Sequence, residues 1–183
     1  MENIKSFQSQ KVIKFLTIIF LGSILLTASA KFKIPFYPVP MTMQTFVVLF
    51  FGLAFGYKIG LSIVGLYLIE GILGLPVFSN SPERGVGLIY FTGPTMGYLI
   101  GFLFAVFLSG YLDFKKNIFI IFFKLLLSVS VIYILGLIWL GILIGWDKPI
   151  LELGAIPFLP AELLKILILT LLTKKIIKLR SFI

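Results

Sequence analysis

Between Asn117 and Trp146 the chain runs for about 30 residues with a single charge, Lys124. In a bilayer a stretch this long and apolar has few options. No water is available there, so every backbone N–H and C=O must be satisfied within the segment, and a helix does this. The run is long enough to span with tilt. Lys124 lies close enough to its start for the ammonium to reach the interface.

The same texture recurs along the chain, interrupted by short polar seams. Helices are predicted over about 12–29, 46–56, 59–74, 94–112, 117–146 and 161–178. The expected fold is all-α, a polytopic membrane protein with six transmembrane helices in a single membrane domain, residues 1–183. Composition points the same way. Of the 183 residues, 60% are hydrophobic and 13% charged, against about 45–50% and about 25% in a soluble domain. The second segment is short and breaks at Gly56-Tyr57-Lys58, which predicts a tight hairpin with the third. Lys5, Lys11 and Lys14 precede an apolar core ending in Ala28-Ser29-Ala30, a pattern shared with secretory signal peptides. A chain apolar throughout needs no cleaved leader, and Val12 to about Ser29 then serves as a retained first span.

Three seams are elaborate. Pro38-Val39-Pro40-Met41-Thr42-Met43-Gln44-Thr45 cannot be helical at its start, because each proline lacks an N–H and pushes its predecessor towards extended backbone. Asn80-Ser81-Pro82-Glu83-Arg84-Gly85-Val86-Gly87 is rich in turn formers, and Thr92-Gly93-Pro94-Thr95 follows as a candidate helix start. Residues 147–160 end in Pro157-Phe158-Leu159-Pro160. Basic residues set the orientation. Lys5, Lys11, Lys14, Lys58, Lys115, Lys116, Lys174, Lys175, Lys178 and Arg180 fall on one side, against Lys31, Lys33, Arg84, Lys148 and Lys165 on the other. The positive-inside rule then predicts both termini in the cytoplasm and all three elaborate seams outside. The net charge of +9 is read as topology, not as a nucleic-acid surface.

Several chemistries are excluded or not expected. There is no cysteine and no histidine, so disulfides, thiol chemistry and imidazole relays are unavailable. No Gly-x4-Gly-Lys-Ser/Thr sequence is present, so no nucleotide loop is expected. No nucleophile–base pair or metal cluster stands out, and the chain is not expected to be an enzyme or to hold a cofactor. The candidate polar residues are few. Glu162 and Lys165, three apart at a helix start, share a face. Ionisable groups in spans are usually functional when they face the interior. Gln44 follows the prolines. Asn80 and Arg84 lie in the second outer seam, and an arginine can grip a carboxylate with two parallel bonds. Glu70 is read as interfacial. Small residues at four-residue spacing allow close helix approach, either within the bundle or towards a partner. They occur at Gly52, Gly56 and Gly60, and at Gly93, Gly97 and Gly101.

The motifs Pro38 to Thr45, Gly74-Leu75-Pro76-Val77-Phe78, Thr92 to Phe102 and Pro157 to Lys165 together resemble the BioY family. Its members are the biotin-specific S components of energy-coupling-factor (ECF) transporters. The match runs from residue 38 to 165. The resemblance implies a biotin site near the outer face and no nucleotide site in this chain. It also implies a transmembrane coupling subunit and two ATPase subunits as partners, in the bacterial cytoplasmic membrane. Ala161-Glu162 stands where the family usually has Gly-Asp, and Met96-Gly97 where it usually has Gly-Gly.

On that resemblance, Glu162 accepts from the ureido N–H groups of biotin, and Lys165 and Gln44 donate to acceptor oxygens. Phe36, Tyr37, Tyr90 and Tyr98 wall the apolar ring, and Asn80 with Arg84 meets the carboxylate. S components often dock their partner through Ala-x3-Ala in the first helix. Here Ser23 and Thr27, with Gly52 and Gly56, are the corresponding small residues. Three rival readings are an S component for another vitamin, a solitary biotin carrier, and a membrane scaffold that transports nothing.

Overall fold

The computed structural model describes residues 2–113 and 117–182. Lys115 and Lys116 of the charged turn lie outside the described residues. Helix α1 runs Glu2–Lys31. A small antiparallel hairpin follows, β1 (Lys33–Ile34) against β2 (Met41–Thr42), with Lys33 opposite Thr42 and Ile34 opposite Met41. The prolines of residues 35–40 form its turn, non-helical as their chemistry requires. Next come α2 (Gln44–Ile72), α3 (Met96–Tyr111), α4 (Ile118–Ile144), α5 (Ile150–Gly154) and α6 (Leu159–Ile176). Tight 3-10 turns occupy Gly87–Thr92, Ile156–Phe158 and Ile177–Phe182. Among the described residues, four stretches are long and apolar enough to cross a membrane: Gln10–Lys31, Gln44–Ile72, Ile118–Ile144 and Ile150–Ser181. Helix α3, with 16 residues, is shorter.

Several boundaries differ from the sequence reading, and α1 already starts at Glu2, about ten residues early. Gln44 lies inside α2, not in the seam before it. Pro94 precedes α3 in a turn closed by Met96 N–H on the Gly93 carbonyl, so the helix starts two residues late. α6 starts at Leu159, with Pro160 in its first turn, where a missing N–H costs nothing.

The break inside α2 falls at Gly56, whose φ of 77° is in the left-handed region. The two halves fold back on each other. A Cβ built on Gly60 would stand 3.6 Å from the Gly52 Cα, whereas eight residues of straight helix cover about 12 Å. Lipid gives helices no hydrophobic reason to associate, so packing rests on close van der Waals contact. Small residues supply it. Gly52 abuts Ser109 and Gly110 of α3, and Gly97 and Gly101 abut the α4 backbone at Leu135 and Ile132. Arg180 closes that end of the bundle. It donates to the carbonyls of Leu53, Gly52 and Gly110 at 2.9, 3.0 and 3.2 Å, where two helix ends leave acceptors unpaired.

These contacts correct the small-residue face expected to meet a partner. Gly52 is consumed inside the bundle. Ser23 is buried, its hydroxyl 2.6 and 2.7 Å from the two carboxylate oxygens of Glu70. That contact also makes Glu70 a partner of α1, not a free interfacial charge. Thr27 and Gly56 keep partial exposure.

Gly52→Leu tests this packing. Even a Cβ there would lie 1.9 Å from Ser109 Oγ and 2.8 Å from the Gly110 nitrogen. Overpacking of a filled core costs about 1–3 kcal/mol. The detergent-solubilised variant should melt well below the parent. An unchanged melting temperature would place this face on the surface after all.

Candidate ligand-binding site

At the end of the bundle that carries the β-hairpin, a cleft holds about 540 Å³ of atom-free space counted out to its mouth. Its walls come from residues 39–42 with β2, the start of α2, the second seam with its 3-10 turn, the start of α3, α4, and α6 with the turn before it. Most of the lining is apolar or aromatic, including Leu99, Phe102, Ile132, Tyr133 and Phe158. Tyr98, Tyr133 and Phe158 form a run of ring contacts, with centroids 6.0 and 6.5 Å apart. Polar groups are set among them: Thr42, Gln44, Thr45, Ser79, Tyr90, Thr95, Tyr98, Tyr133 and Glu162. A concave, mostly apolar space with a few converging polar groups is the usual form of a small-molecule site.

Glu162 is the charge in this lining, and it is only 5% exposed. One of its oxygens is fully served. Oε1 accepts from Lys165 Nζ at 2.7 Å and from Thr45 Oγ1 at 2.8 Å. Lys165 is equally buried and spends all three of its N–H bonds locally. It donates to Glu162 Oε1, to Thr45 Oγ1 at 3.0 Å, and to the Thr42 carbonyl at 2.6 Å. Helical side chains lean towards the N-terminus, which carries the Lys165 ammonium back to β2. Oε2 of Glu162 is buried with no hydrogen-bond partner. Tyr133 lines the same cleft as this carboxylate without completing a bond to Oε2. A buried acceptor left open costs about 1–3 kcal/mol, more when charged, and a donor reaching it would recover that cost.

The other candidates divide. Gln44 lines the cleft, its Nε2 donating to the Tyr67 hydroxyl at 2.8 Å and its Oε1 accepting from Thr42 Oγ1 at 3.2 Å. Tyr98 and Tyr90 also line it. The Tyr98 hydroxyl donates to the Gly154 carbonyl at 2.8 Å. The Tyr90 hydroxyl meets Ser79 Oγ and accepts from the Asn80 N–H, both at 3.3 Å. Lys165 does not reach the cleft, because the Thr42, Thr45 and Glu162 oxygens surround its ammonium. Asn80 and Arg84 face a smaller neighbouring recess that they share with Tyr90 and Thr95. Phe36 packs edge-on against Phe158, and Tyr37 is exposed beneath the Arg84 guanidinium. Neither ring walls the cleft.

Cations fasten the mouth. Lys31 donates to the carbonyls of Phe78 and Ser81, both at 2.8 Å. Lys33 donates to the Ser79 carbonyl at 2.7 Å and to Asn80 Oδ1 at 3.1 Å. Arg84 crosses the other way, to the Pro38 carbonyl at 2.8 Å. The two outer seams are thus bound to each other by charge-assisted bonds to neutral acceptors.

Thr45, Ser79, Thr95, Tyr133 and Phe158 were not singled out from the sequence. Tyr133 carried a usable signal, as the one tyrosine in the long apolar run from Asn117 to Trp146. Thr45 stands beside Gln44 in the motif, among the neutral hydrogen-bonding side chains that follow the prolines. Its role depends on a partner 117 residues away.

Fold and cleft together define the class: a mainly helical, multi-pass membrane protein with a cleft at one end of its bundle. The BioY family model matches residues 2–182, and the chain belongs to the BioY family. It is 34% identical over 141 residues to the probable biotin transporter BioY of Pyrococcus horikoshii, covering 77% of this chain and 82% of that one. It is 33% identical over 156 residues to the biotin transporter BioY of Thermotoga maritima, covering 85% and 90%. The fold matches the crystal structure of the S-component for biotin from an ECF-type ABC transporter. The TM-score is 0.76 at 26% identity, over 92% of this chain and 93% of that one. The family is one of transporters, not of enzymes.

Removing one half of a buried ion pair costs about 3–5 kcal/mol, because the other charge is stranded. Lys165→Met should therefore lower the melting temperature sharply. The double variant Lys165→Met/Glu162→Gln should recover part of that loss, since no charge is left unpaired. Additive losses in the double variant would rule out the coupling.

Proposed function

We propose that this chain is the biotin-binding S component of an ECF-type uptake transporter. The observation that carries the reading is the orphaned Oε2 of Glu162, buried at the edge of an apolar, aromatic cleft. Biotin presents a ureido ring with two N–H donors, a thioether ring and an anionic tail. Glu162 Oε2 accepts from one ureido N–H in a charge-assisted bond. The second N–H of the Gln44 amide, not used by Tyr67, donates to the ureido oxygen. Tyr90, Tyr98, Tyr133 and Phe158 enclose the fused rings. The tail points to the recess of Asn80 and Arg84, where the guanidinium supplies the countercharge. Lys165 contributes indirectly, by fixing the Glu162 carboxylate in its rotamer.

The rest of the reading concerns setting and partners. The α2 hairpin counts as two short membrane segments, which gives six spans with α1, α3, α4 and α6. Both termini lie in the cytoplasm by the distribution of Lys and Arg. The membrane is the bacterial cytoplasmic membrane. A transmembrane coupling subunit and two ATPase subunits energise transport, since this chain carries no nucleotide-binding motif. Thr27 and Gly56 are the small residues left to a docking face.

Glu162→Gln separates the acceptor from the shape of the site. The amide keeps the volume but offers a mixed donor and acceptor where two acceptors stood. A hydrogen bond to a charged group is worth about 1.5–3 kcal/mol, so biotin affinity should fall about ten- to hundred-fold in a purified-protein binding assay. Unaltered affinity would remove Glu162 from the site. A vitamin panel in which another compound stabilises the protein and biotin does not would overturn the choice of ligand.

A further inference from the structure

We propose that a second site on this protein holds a phospholipid, its acyl chain in a lateral groove and its phosphate at Lys33. The groove lies between the β1–β2 hairpin and α6 and holds about 1010 Å³ of atom-free space counted out to its mouth. Phe32, Ile34, Met43, Phe46, Leu164 and Ile168 line it, with Ala161 among them. It opens on the side of the bundle, where Phe32, Ile34, Met43 and Leu164 are exposed apolar residues. On a membrane-embedded chain that side faces acyl chains, and a roomy apolar groove there cannot be filled favourably by water.

Charge decides what kind of lipid. Lys33 lines the groove, and its two bonds go to neutral acceptors, the Ser79 carbonyl and Asn80 Oδ1. Among the described residues it forms no ion pair within 4 Å of an acid. Its third N–H and its uncompensated charge match a phosphodiester at the groove mouth. A diacylglycerol would fill the groove but leave that charge unmet.

The groove shares a wall with the ligand cleft. Met41 and Thr42 line both spaces. The Lys165 side chain lines the groove, while its ion-pair partner Glu162 lines the cleft. An acyl chain in the groove keeps water from the far side of this ion pair and braces β2 against the cleft. Lipid occupancy and ligand affinity are therefore coupled. Lipid retention is independent of what the cleft binds, whereas the coupling rests on the biotin reading above.

The test uses the full chain extracted in mild detergent. Native mass spectrometry should find one retained phospholipid per chain. A phosphatidylglycerol probe with a photoreactive tail should cross-link at Met43, Phe46 and Leu164 in preference to Leu171, which is exposed on α6 but outside the groove. Ala161→Phe, which fills the groove, should lose the adduct. Lys33→Gln should weaken retention of the phospholipid but not of a diacylglycerol. Removing the lipid should weaken biotin binding, and adding phospholipid back should restore it. Absence of a retained lipid, uniform cross-linking along α6, or retention by Ala161→Phe would each overturn the site. Cross-links between two copies of the chain at Leu164 would do the same. The cross-link map needs no variant, so it holds if Ala161→Phe fails to fold. A retained lipid whose removal leaves biotin affinity unchanged would overturn the coupling.

Discussion

A carboxylate buried among apolar side chains must be paired, and the pairing of Glu162 organises this protein. Its partners come from two ends of the chain. Lys165 lies one turn along α6 and Thr45 lies 117 residues before Glu162, while Lys165 in turn donates to the Thr42 carbonyl. Satisfying one oxygen therefore draws the β2 strand and the start of α2 onto α6, and that closure creates the cleft. The other oxygen is buried with no hydrogen-bond partner. An unmet buried acceptor is costly, and on the reading proposed above a ligand donor offsets that cost. The site is pre-organised, because both carboxylate rotamer and ammonium position are already fixed.

The bundle beneath holds that geometry by close approach. Gly97 and Gly101 let α3 lie against the α4 backbone, which brings Tyr98 and Tyr133 to the same wall. Gly56 turns α2 back on itself, and Arg180 then caps the carbonyls the turn exposes near Gly52 and Leu53. In lipid these contacts stand where hydrophobic burial would stand in water. At the other end, Lys31, Lys33 and Arg84 join the outer seams through neutral carbonyls. Such bonds hold the mouth of the cleft without placing a carboxylate beside an anionic ligand.

Much of this was legible in the chain. Apolar runs closed off every fold but a helical membrane protein, because backbone polar groups in lipid must be satisfied within their own segment. Prolines 38 and 40 ruled out helix between α1 and α2. The spacing of Glu162 and Lys165 put them on one face, since three residues make nearly one turn. Gly56 marked the break in α2. These are local rules, and local sequence suffices for them.

Which neighbour a residue faces is not a local property, and there the tertiary structure decided. Lys165 reads as a ligand donor until Thr42, Thr45 and Glu162 are seen to take all three of its N–H groups. Ser23 and Gly52 read as a docking face until Glu70 and Ser109 are found against them. Phe36 and Tyr37 sit beside the motif but pack away from the cleft, while Tyr133, far from any motif, enters it. The sequence by itself determined the helices, their breaks and the scarcity of polar groups, through covalent geometry and the demands of the bilayer. Only the packed structure decided that one oxygen of Glu162 is spent on the fold and the other is free, because that depends on contacts between segments more than a hundred residues apart.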